Sequence, residues 1–270
     1  MNLSKIICSL PWRARCLLSS KHEILLFHLP TGGLVHYPIR SQIGYALFRG
    51  TFETAELRFV TSLLRPGDTF VDIGANAGIF TVAAAQVIGQ FGQIFAYEPA
   101  AFEAALLHLN VAHNRLENVV IRNVGVSDRE GEADFVISED GAMNSLFRTD
   151  HPNQRPVAKT RIHTTTLDAI LANVGLGKLR LIKIDTEGAE RQIILPALAR
   201  LKKLSGVRVL FESQDTNNRG FGYTTKQFLQ ELEQAGANVC QLMDDGSTTP
   251  INSRNHRIGD TDYNFVLNFD

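Results

Sequence analysis

Residues 69–81 read Thr-Phe-Val-Asp-Ile-Gly-Ala-Asn-Ala-Gly-Ile-Phe-Thr. An apolar run ends at Asp72, Gly74 and Gly78 follow with Asn76 between them, and apolar residues then recur at helical spacing. This order predicts a strand, a tight glycine-rich turn and a helix. Glycine suits a backbone that approaches a ligand closely because it has no Cβ. The free N–H groups at the start of the helix add a polar site beside the turn.

Strand and helix patterns alternate along the rest of the chain. Strands are predicted at 69–73, 93–97, 119–121, 179–184 and 207–211, with a last pair at 239–243 and 264–268. Helices are predicted at 53–65, from the turn to about 88, and at 101–113, 167–174, 189–203 and 224–235. The pattern indicates an α/β fold, a mostly parallel sheet with helices on both faces. Because no helix separates the last two strands, one of them is expected to be antiparallel.

Ligands of such sheets bind beyond the carboxyl ends of the strands. The polar residues at those ends are Asp72, Glu98, Ser127, Asp185 and Glu212. The predicted ligand-binding domain spans 51–270. Residues 1–50 are predicted to form an extension, with a weakly structured or helical arm over 1–22 and a hairpin over 24–39. An extra strand is predicted at 133–137 and a loop at 139–161.

Composition and charge limit the functions that the chain can have. The formal net charge of −1 provides no global field for nucleic acid. The first fifty residues hold six basic side chains and one acidic one, which fits a solvated arm or a surface contact. Three cysteines without metal-like spacing argue against a disulfide framework and favour a reducing cytoplasm. Residues 73–97 carry no charge, but their glycines, glutamines and asparagine favour a buried helix and strand over membrane insertion.

The glycine-rich turn could bind either of two nucleotide-like ligands, a dinucleotide or S-adenosylmethionine. A dinucleotide site requires Gly-x-Gly-x-x-Gly, a spacing from which Gly74-Ala-Asn-Ala-Gly78 departs. Glu98 could accept hydrogen bonds from a ribose diol in either case. Asp72 discriminates, because a carboxylate before the turn repels a pyrophosphate but suits the ammonium and sulfonium of S-adenosylmethionine. Asp72 could instead cap the turn backbone.

Several segments together resemble FkbM-type S-adenosylmethionine-dependent methyltransferases. They are residues 72–81, Tyr97-Glu98-Pro99, Thr166-Leu167-Asp168 and residues 182–190, with Gly50-Thr51-Phe52-Glu53 ahead of them. The resemblance covers roughly residues 50–213. It implies a class I methyltransferase (Rossmann-like) fold with a seven-stranded sheet and an antiparallel terminal strand. It also implies S-adenosyl-L-methionine as cofactor and, usually, O-methylation of a small-molecule or glycan acceptor.

The resemblance implies a set of cofactor contacts. Gly74, Gly78 and Asn76 would approach the methionine part, and Glu98 would hold the ribose diol. Val126 and Ser127 would border the adenine, although Ser127 could instead form a simple turn with Asp128. The full cofactor-binding set is Glu53, Asp72, Gly74, Ala75, Asn76, Gly78, Glu98, Pro99, Val126, Ser127 and Asp185.

The predicted catalytic residues are Lys183, Asp185 and Glu187. Lys183 and Asp185 share a face of their strand, and a buried lysine needs a charged partner, either Asp185, Glu187 or Glu190. The pair could be purely structural. Methyl transfer depends mostly on positioning, and a hydroxyl nucleophile gains from a base, Asp185 first and Glu187 second. Three acids near a helix start commonly complement the helix dipole, so no metal is predicted.

The segment 142–163 carries four basic residues against Asp150. It could be a basic lid that suits an anionic acceptor, such as a phosphorylated or acidic sugar, or a solvated loop. His151 and His163, in or beside this segment, could serve as the base, but they are expected to face solvent. Two other functions stay open, an NAD-type oxidoreductase of similar topology and a catalytically silent cofactor-binding module. The sequence identifies neither the acceptor nor the oligomeric state.

Overall fold

The computed structural model describes Trp12, Cys16, Ser20 and residues 23–139, 141–253 and 264–269. The predicted arm over residues 1–22 therefore lies outside the described residues, apart from those three positions. The strands are β1 Ile24–His28, β2 Leu34–Pro38, β3 Thr69–Ile73, β4 Gln93–Tyr97, β5 Val119–Arg122, β6 Gly125–Ser127, β7 Gly131–Ser138, β8 Pro156–Thr166, β9 Leu179–Ile184, β10 Arg208–Glu212, β11 Asn238–Leu242, β12 Thr248–Pro250 and β13 Asn264–Asn268. The helices are α1 Gln42–Arg49, α2 Thr54–Leu63, α3 Ile79–Ile88, α4 Ala101–His113, α5 Leu167–Asn173, α6 Glu190–Leu201, α7 Asp215–Asn218 and α8 Thr225–Gln234.

The central sheet confirms the predicted fold class. Its strand order is β12-β11-β13-β10-β9-β3-β4-β5, with β3, β4, β5, β9 and β10 mutually parallel. β13 runs antiparallel between β10 and β11, as expected for the last strand pair. The short strand β12 adds an eighth member at the edge. The strand order reverses between β3 and β9, which opens a crevice beyond their carboxyl ends.

The uncharged segment 73–97 runs from the end of β3 through the glycine-rich turn and helix α3 to the end of β4. All five residues of β3 are buried, because helices cover both faces of a central parallel strand. Helix α3 is also buried on most of its surface. Across the described part of the chain, no helix has both the length and the apolar character that a bilayer crossing requires.

The prediction of a loop over 139–161 is wrong for residues 156–161. Residues 156–166 form β8, which pairs antiparallel with β7 and parallel with β6 in a separate three-stranded sheet. The first six residues of β8 are exposed, so its apolar alternation is too weak to indicate a strand. Cross-strand charge pairs support it instead, since Arg161 lies near both Glu132 and Asp134. Residues 125–127 form β6, the third strand of this sheet.

The predicted hairpin is present as β1 and β2, and it packs against one of the hydrophobic cores beside the central sheet. Val35 and Tyr37 are buried in the same hydrophobic core as Phe70. The side-chain oxygens of Asn110 on α4 and of Asn114 at its C-terminal end accept hydrogen bonds from the backbone of β2. The sequence analysis did not predict α1, whose start is capped by the Ser41 hydroxyl and whose end lies at Gly50 in a left-handed conformation.

Candidate active site

A cavity of about 470 Å³ lies at the carboxyl ends of β3, β4, β9 and β10. One turn of α1 and parts of the segment 141–153 close it on the outer side. The acidic side chains that line it are Glu53, Glu56, Glu98, Asp185, Glu187 and Glu212. Among the described lining residues the one lysine or arginine is Lys183. The cavity is therefore strongly acidic around one buried cation.

The two glycines of the turn are required by contacts within the protein. Gly74 has φ +74°, and a Cβ there would overlap the carbonyl oxygen of Asp185 on the neighbouring strand. Gly78 has φ +83°, and a Cβ there would overlap the side chain of Leu107 on α4. Gly74 also lines the cavity, whereas Gly78 lies behind it. Close packing of strand and helix thus accounts for both glycines.

Asn76 connects the turn to two other parts of the molecule. Its backbone N–H donates to Oε2 of Glu98 at 2.8 Å. Its side-chain oxygen accepts from the Tyr37 hydroxyl at 3.0 Å and from the backbone N–H of Ala77 at 2.7 Å. With φ at +50°, Asn76 adopts a left-handed conformation that asparagine tolerates better than most residues. The hairpin thereby supports the turn, a contribution of Tyr37 that the sequence did not reveal.

Glu98 lies at the end of β4 and borders the cavity together with Tyr97 and Pro99. Its Oε1 accepts from the backbone N–H of Ala100 at 2.8 Å, and its Oε2 accepts from Asn76. Burial raises the pKa of this carboxyl to about 8, although the two backbone hydrogen bonds oppose the shift. Glu98 thus joins the glycine-rich turn to the end of the neighbouring strand.

Asp72 lies behind the turn and does not line the cavity. It is fully buried, and its Oδ2 accepts from the Thr81 hydroxyl at 2.6 Å. Its Oδ1 has no hydrogen-bond partner within the described part of the chain. Burial raises the pKa of Asp72, and the positive charge of Lys183 opposes that shift. Asp72 therefore influences the cavity through its charge interaction with Lys183. It supports the fold through its hydrogen bond to Thr81 on α3.

Val126 and Ser127 differ in their position relative to the cavity. Val126 lines the cavity, whereas Ser127 does not. The Ser127 hydroxyl lies 3.2 Å from Oδ1 of Asp128, which is the turn considered as the alternative to an adenine contact. Ala75 lines the cavity. The backbone N–H groups of Gly74 and Ala75 both donate to the carbonyl oxygen of Tyr97 at 3.0 Å, which ties the turn to β4.

Lys183 pairs with Asp185, one of its three predicted partners. Their Nζ–Oδ2 distance is 2.9 Å, and only 6% of the Lys183 side chain is exposed. The ammonium also lies 4.7 Å from the centre of the Phe80 ring. Burial alone would lower the pKa of Lys183, but the carboxylates of Asp185, Asp72 and Glu53 raise it above its ordinary value. The lysine is therefore charged.

Glu190 and Glu187 have separate roles. Glu190 accepts from the backbone N–H groups of Thr186 and Gly188, so it orders the loop before α6. Glu187 lines the cavity at φ +57°, and its Oε2 accepts from Asn217 at 2.6 Å. Burial, followed by the charge of Asp185, raises the pKa of Glu187 well above its ordinary value. Asn217 lies on the short helix α7.

Of the two interpretations of the segment 142–163, the basic lid is not supported, because its basic side chains do not line the cavity. Arg148, Arg155, Lys159 and Arg161 are absent from its lining, and Arg155 instead lies 3.8 Å from Glu139 on the surface. The prediction that His151 faces solvent is also incomplete, because His151 lines the cavity. Asn153 reaches across the outer side, where its amide lies 3.3 Å from Gln42 on α1. The segment therefore contributes no lysine or arginine to the described lining of the cavity.

Several known proteins resemble this chain. A family model described as Methyltransferase FkbM domain matches residues 72–239. The 31-O-demethyl-FK506 methyltransferase FkbM of Streptomyces tacrolimicus is 27% identical over 157 residues, which is 48% of this chain and 60% of that protein. The ribosomal protein L11 methyltransferase of Bacillus cereus (strain AH820) is 30% identical over 99 residues, 35% of this chain and 31% of that protein. The chain thus spans less than two thirds of either relative.

A crystal structure of Methyltransferase FkbM from Methylobacillus flagellatus KT superposes with a TM-score of 0.49 at 14% sequence identity. The superposition covers 79% of this chain and 47% of that one.

Proposed function

The chain belongs to the FkbM methyltransferase domain family, and from that premise we propose that it methylates a hydroxyl of a sugar, glycan or secondary metabolite with S-adenosyl-L-methionine. The observation that carries the proposal is the acidic cavity beyond the carboxyl ends of β3, β4, β9 and β10. A cavity in this position is the usual ligand site of a doubly wound sheet.

The residues present fit this cofactor. When bound, S-adenosyl-L-methionine supplies a methyl group already activated by a positively charged sulfur. The carboxylates around the cavity complement that charge and the charge of the cofactor's ammonium. Glu98 retains lone pairs beyond the two that accept backbone N–H groups, so it can accept from the ribose hydroxyls. Ala75, Asn76 and Pro99 also line the cavity.

On this proposal Asp185 and Glu187 orient the acceptor. Asp185 is held by Lys183, and Glu187 is held by Asn217, so both carboxylates are fixed in position while they face the cavity. A fixed carboxylate can accept a hydrogen bond from a hydroxyl and align its oxygen for an in-line displacement. Such alignment accounts for much of the rate enhancement in reactions of activated substrates.

A hydroxyl acceptor is also supported by the relative from Streptomyces tacrolimicus, whose name describes methylation of 31-O-demethyl-FK506. The acidic lining favours acceptors without phosphate groups, including small neutral polyols, over nucleic acids. It also disfavours the alternative of an NAD-type oxidoreductase, because the described lining of the cavity offers a pyrophosphate no lysine or arginine except Lys183, which is already paired with Asp185.

The test combines binding with transfer. Calorimetric titration with S-adenosylhomocysteine, S-adenosylmethionine and NAD should give saturable binding of the first two, weakened in Glu98→Ala. Transfer of a radiolabelled methyl group to neutral methyl glycosides should then depend on Asp185, with Asp185→Asn losing most of kcat. Binding of NAD alone would overturn the proposal. Cofactor binding without transfer to any hydroxyl acceptor would support the silent module.

A further inference from the structure

Six carboxylic acids line the candidate active site, and five of them already have partners within the protein. Asp185 pairs with Lys183, and two backbone N–H groups donate to Glu98. The remaining pairs are Glu187 with Asn217 at 2.6 Å, Glu56 with Asn264 at 2.5 Å, and Glu212 with Gln214. The sixth acid is Glu53, whose carboxylate has no hydrogen-bond or ion-pair partner among the described residues. Its lone pairs are therefore available to a ligand.

The backbone of Glu53 is unusual as well. It has φ +36° and ψ +51°, in the left-handed region that side chains other than glycine rarely adopt. Glu53 is the residue before α2, yet its side chain does not cap that helix. Three of the four non-glycine residues with positive φ in the described chain line this cavity, namely Glu53, Asn76 and Glu187. Strained backbone of this kind persists mostly at functional sites.

We infer that Glu53 is the base that removes the proton from the acceptor hydroxyl, an assignment that rests on the methyltransferase activity proposed above. As the acceptor oxygen bonds to the methyl carbon, its O–H bond breaks and the proton moves to a carboxylate oxygen of Glu53. The methyl–sulfur bond breaks in the same displacement, and its electron pair stays on sulfur. Asp185 and Glu187, the bases favoured by the sequence, then orient the hydroxyl.

The surroundings of Glu53 suit a base. Burial, followed by the charge of Asp185, raises its pKa to about 8, and Lys183 opposes the shift. The titratable groups that act on it are Glu56 on α2, Asp72 on β3, Lys183 on β9, and Asp185 and Glu187 in the loop that follows β9. A base works best when its pKa lies close to the working pH. A carboxylate of ordinary acidity would be a weaker proton acceptor.

Glu53→Gln keeps the size and shape of the side chain and removes the basic oxygen. We expect its kcat for a neutral methyl glycoside to fall about 10²–10⁴-fold, with loss of the limb of the kcat–pH profile that rises towards pH 8. Its affinity for S-adenosylhomocysteine, measured by calorimetry, should stay within about threefold of the wild type. Glu117→Gln is the matched control, since Glu117 is exposed and does not line the cavity, and it should keep that limb.

Two results would overturn the assignment. One is a Glu53→Gln variant that retains kcat within about threefold of the wild type. The other is a fall of tenfold or more in its affinity for S-adenosylhomocysteine, which would make Glu53 a cofactor ligand. If the wild type itself binds the cofactor but transfers no methyl group, the proposed function fails first.

A second variant tests the strained backbone of Glu53 by thermal stability, a measurement that needs no acceptor substrate. Glycine accommodates positive φ without steric cost. Glu53→Gly should therefore be at least as thermally stable as the wild type, because the conformation serves the site and not the fold. A melting temperature clearly below that of the wild type would show that Glu53 has a structural role and would overturn the assignment.

Discussion

The ammonium of Lys183 lies 2.9 Å from the carboxylate of Asp185 at the end of the central strand β9. The lysine is almost completely buried, and Asp72 and Glu53 also act on it. One cation thus offsets several carboxylates at the centre of an acidic cavity. Stability and chemistry both depend on that balance.

Replacing Lys183 by methionine should reduce the free energy of unfolding by about 3–5 kcal/mol, because the buried carboxylates lose their neighbouring cation. Denaturant unfolding at neutral pH measures the loss. The double variant Lys183→Met with Asp185→Asn removes both charges and should recover part of it. Equal stability of the single variant and the wild type would contradict the prediction.

Gly74→Ala should be much more damaging than Gly67→Ala. Both glycines have positive φ, so each substitution carries a conformational cost of about 1–2 kcal/mol. At Gly67 nothing lies within 4 Å of the added Cβ, whereas at Gly74 it would overlap the carbonyl oxygen of Asp185. We expect a total loss of about 3 kcal/mol or more for Gly74→Ala. Similar losses in the two variants, measured by denaturant unfolding, would show that β3 and β9 are not closely packed there.

Stability should decrease as the pH rises from about 4.5 to 8. The pKa of Glu98 is raised from 4.5 to about 8 in the folded protein, and those of Glu53 and Glu190 are raised to about 8 and about 7. In this window the unfolded chain loses protons that the folded chain keeps, so the free energy of unfolding falls with pH. Glu98→Gln should flatten the slope. An unchanged slope in that variant would exclude the raised pKa of Glu98 as a cause.

Tyr37→Phe should weaken binding of S-adenosylhomocysteine about 3–10-fold, since the Tyr37 hydroxyl holds the side chain of Asn76 and one hydrogen bond contributes about 1 kcal/mol. Calorimetric titration measures the effect. Tyr45→Phe is the control, because Tyr45 is exposed on the same extension and does not line the cavity. The prediction fails if both variants bind with wild-type affinity.

Neutral acceptors should be preferred over anionic ones. A methyl hexoside and the corresponding methyl uronide differ by one carboxylate, and the acidic lining should lower kcat/KM for the uronide at least about tenfold through charge repulsion. Initial rates of methyl transfer at equal concentrations provide the comparison. A preference for the uronide, or for a sugar phosphate, would show that basic residues outside the lining reach the acceptor.

Short-range sequence patterns predicted most of the helices and strands. The apolar period of each segment, the turn at Gly74 and the acids that follow β4 and β9 can all be read along the chain, because they depend on neighbours a few residues away. Strand β8 could not be read this way, since pairing with β7 and not apolar alternation stabilises it. Helix α1 was missed although its signals, Ser41 and Gly50, were both present.

The sequence by itself determined the order of strands and helices, the glycine-rich turn and the group of acids at the strand ends. Only the tertiary structure decided which of these acids share a cavity and which already have a partner. It brought Glu53 beside Asp185 and Tyr37 to Asn76, and it turned Arg155 and Arg161 away from the site. The physical reason is that hydrogen bonds, burial and charge interactions depend on distance in space, which residue spacing along the chain does not contain.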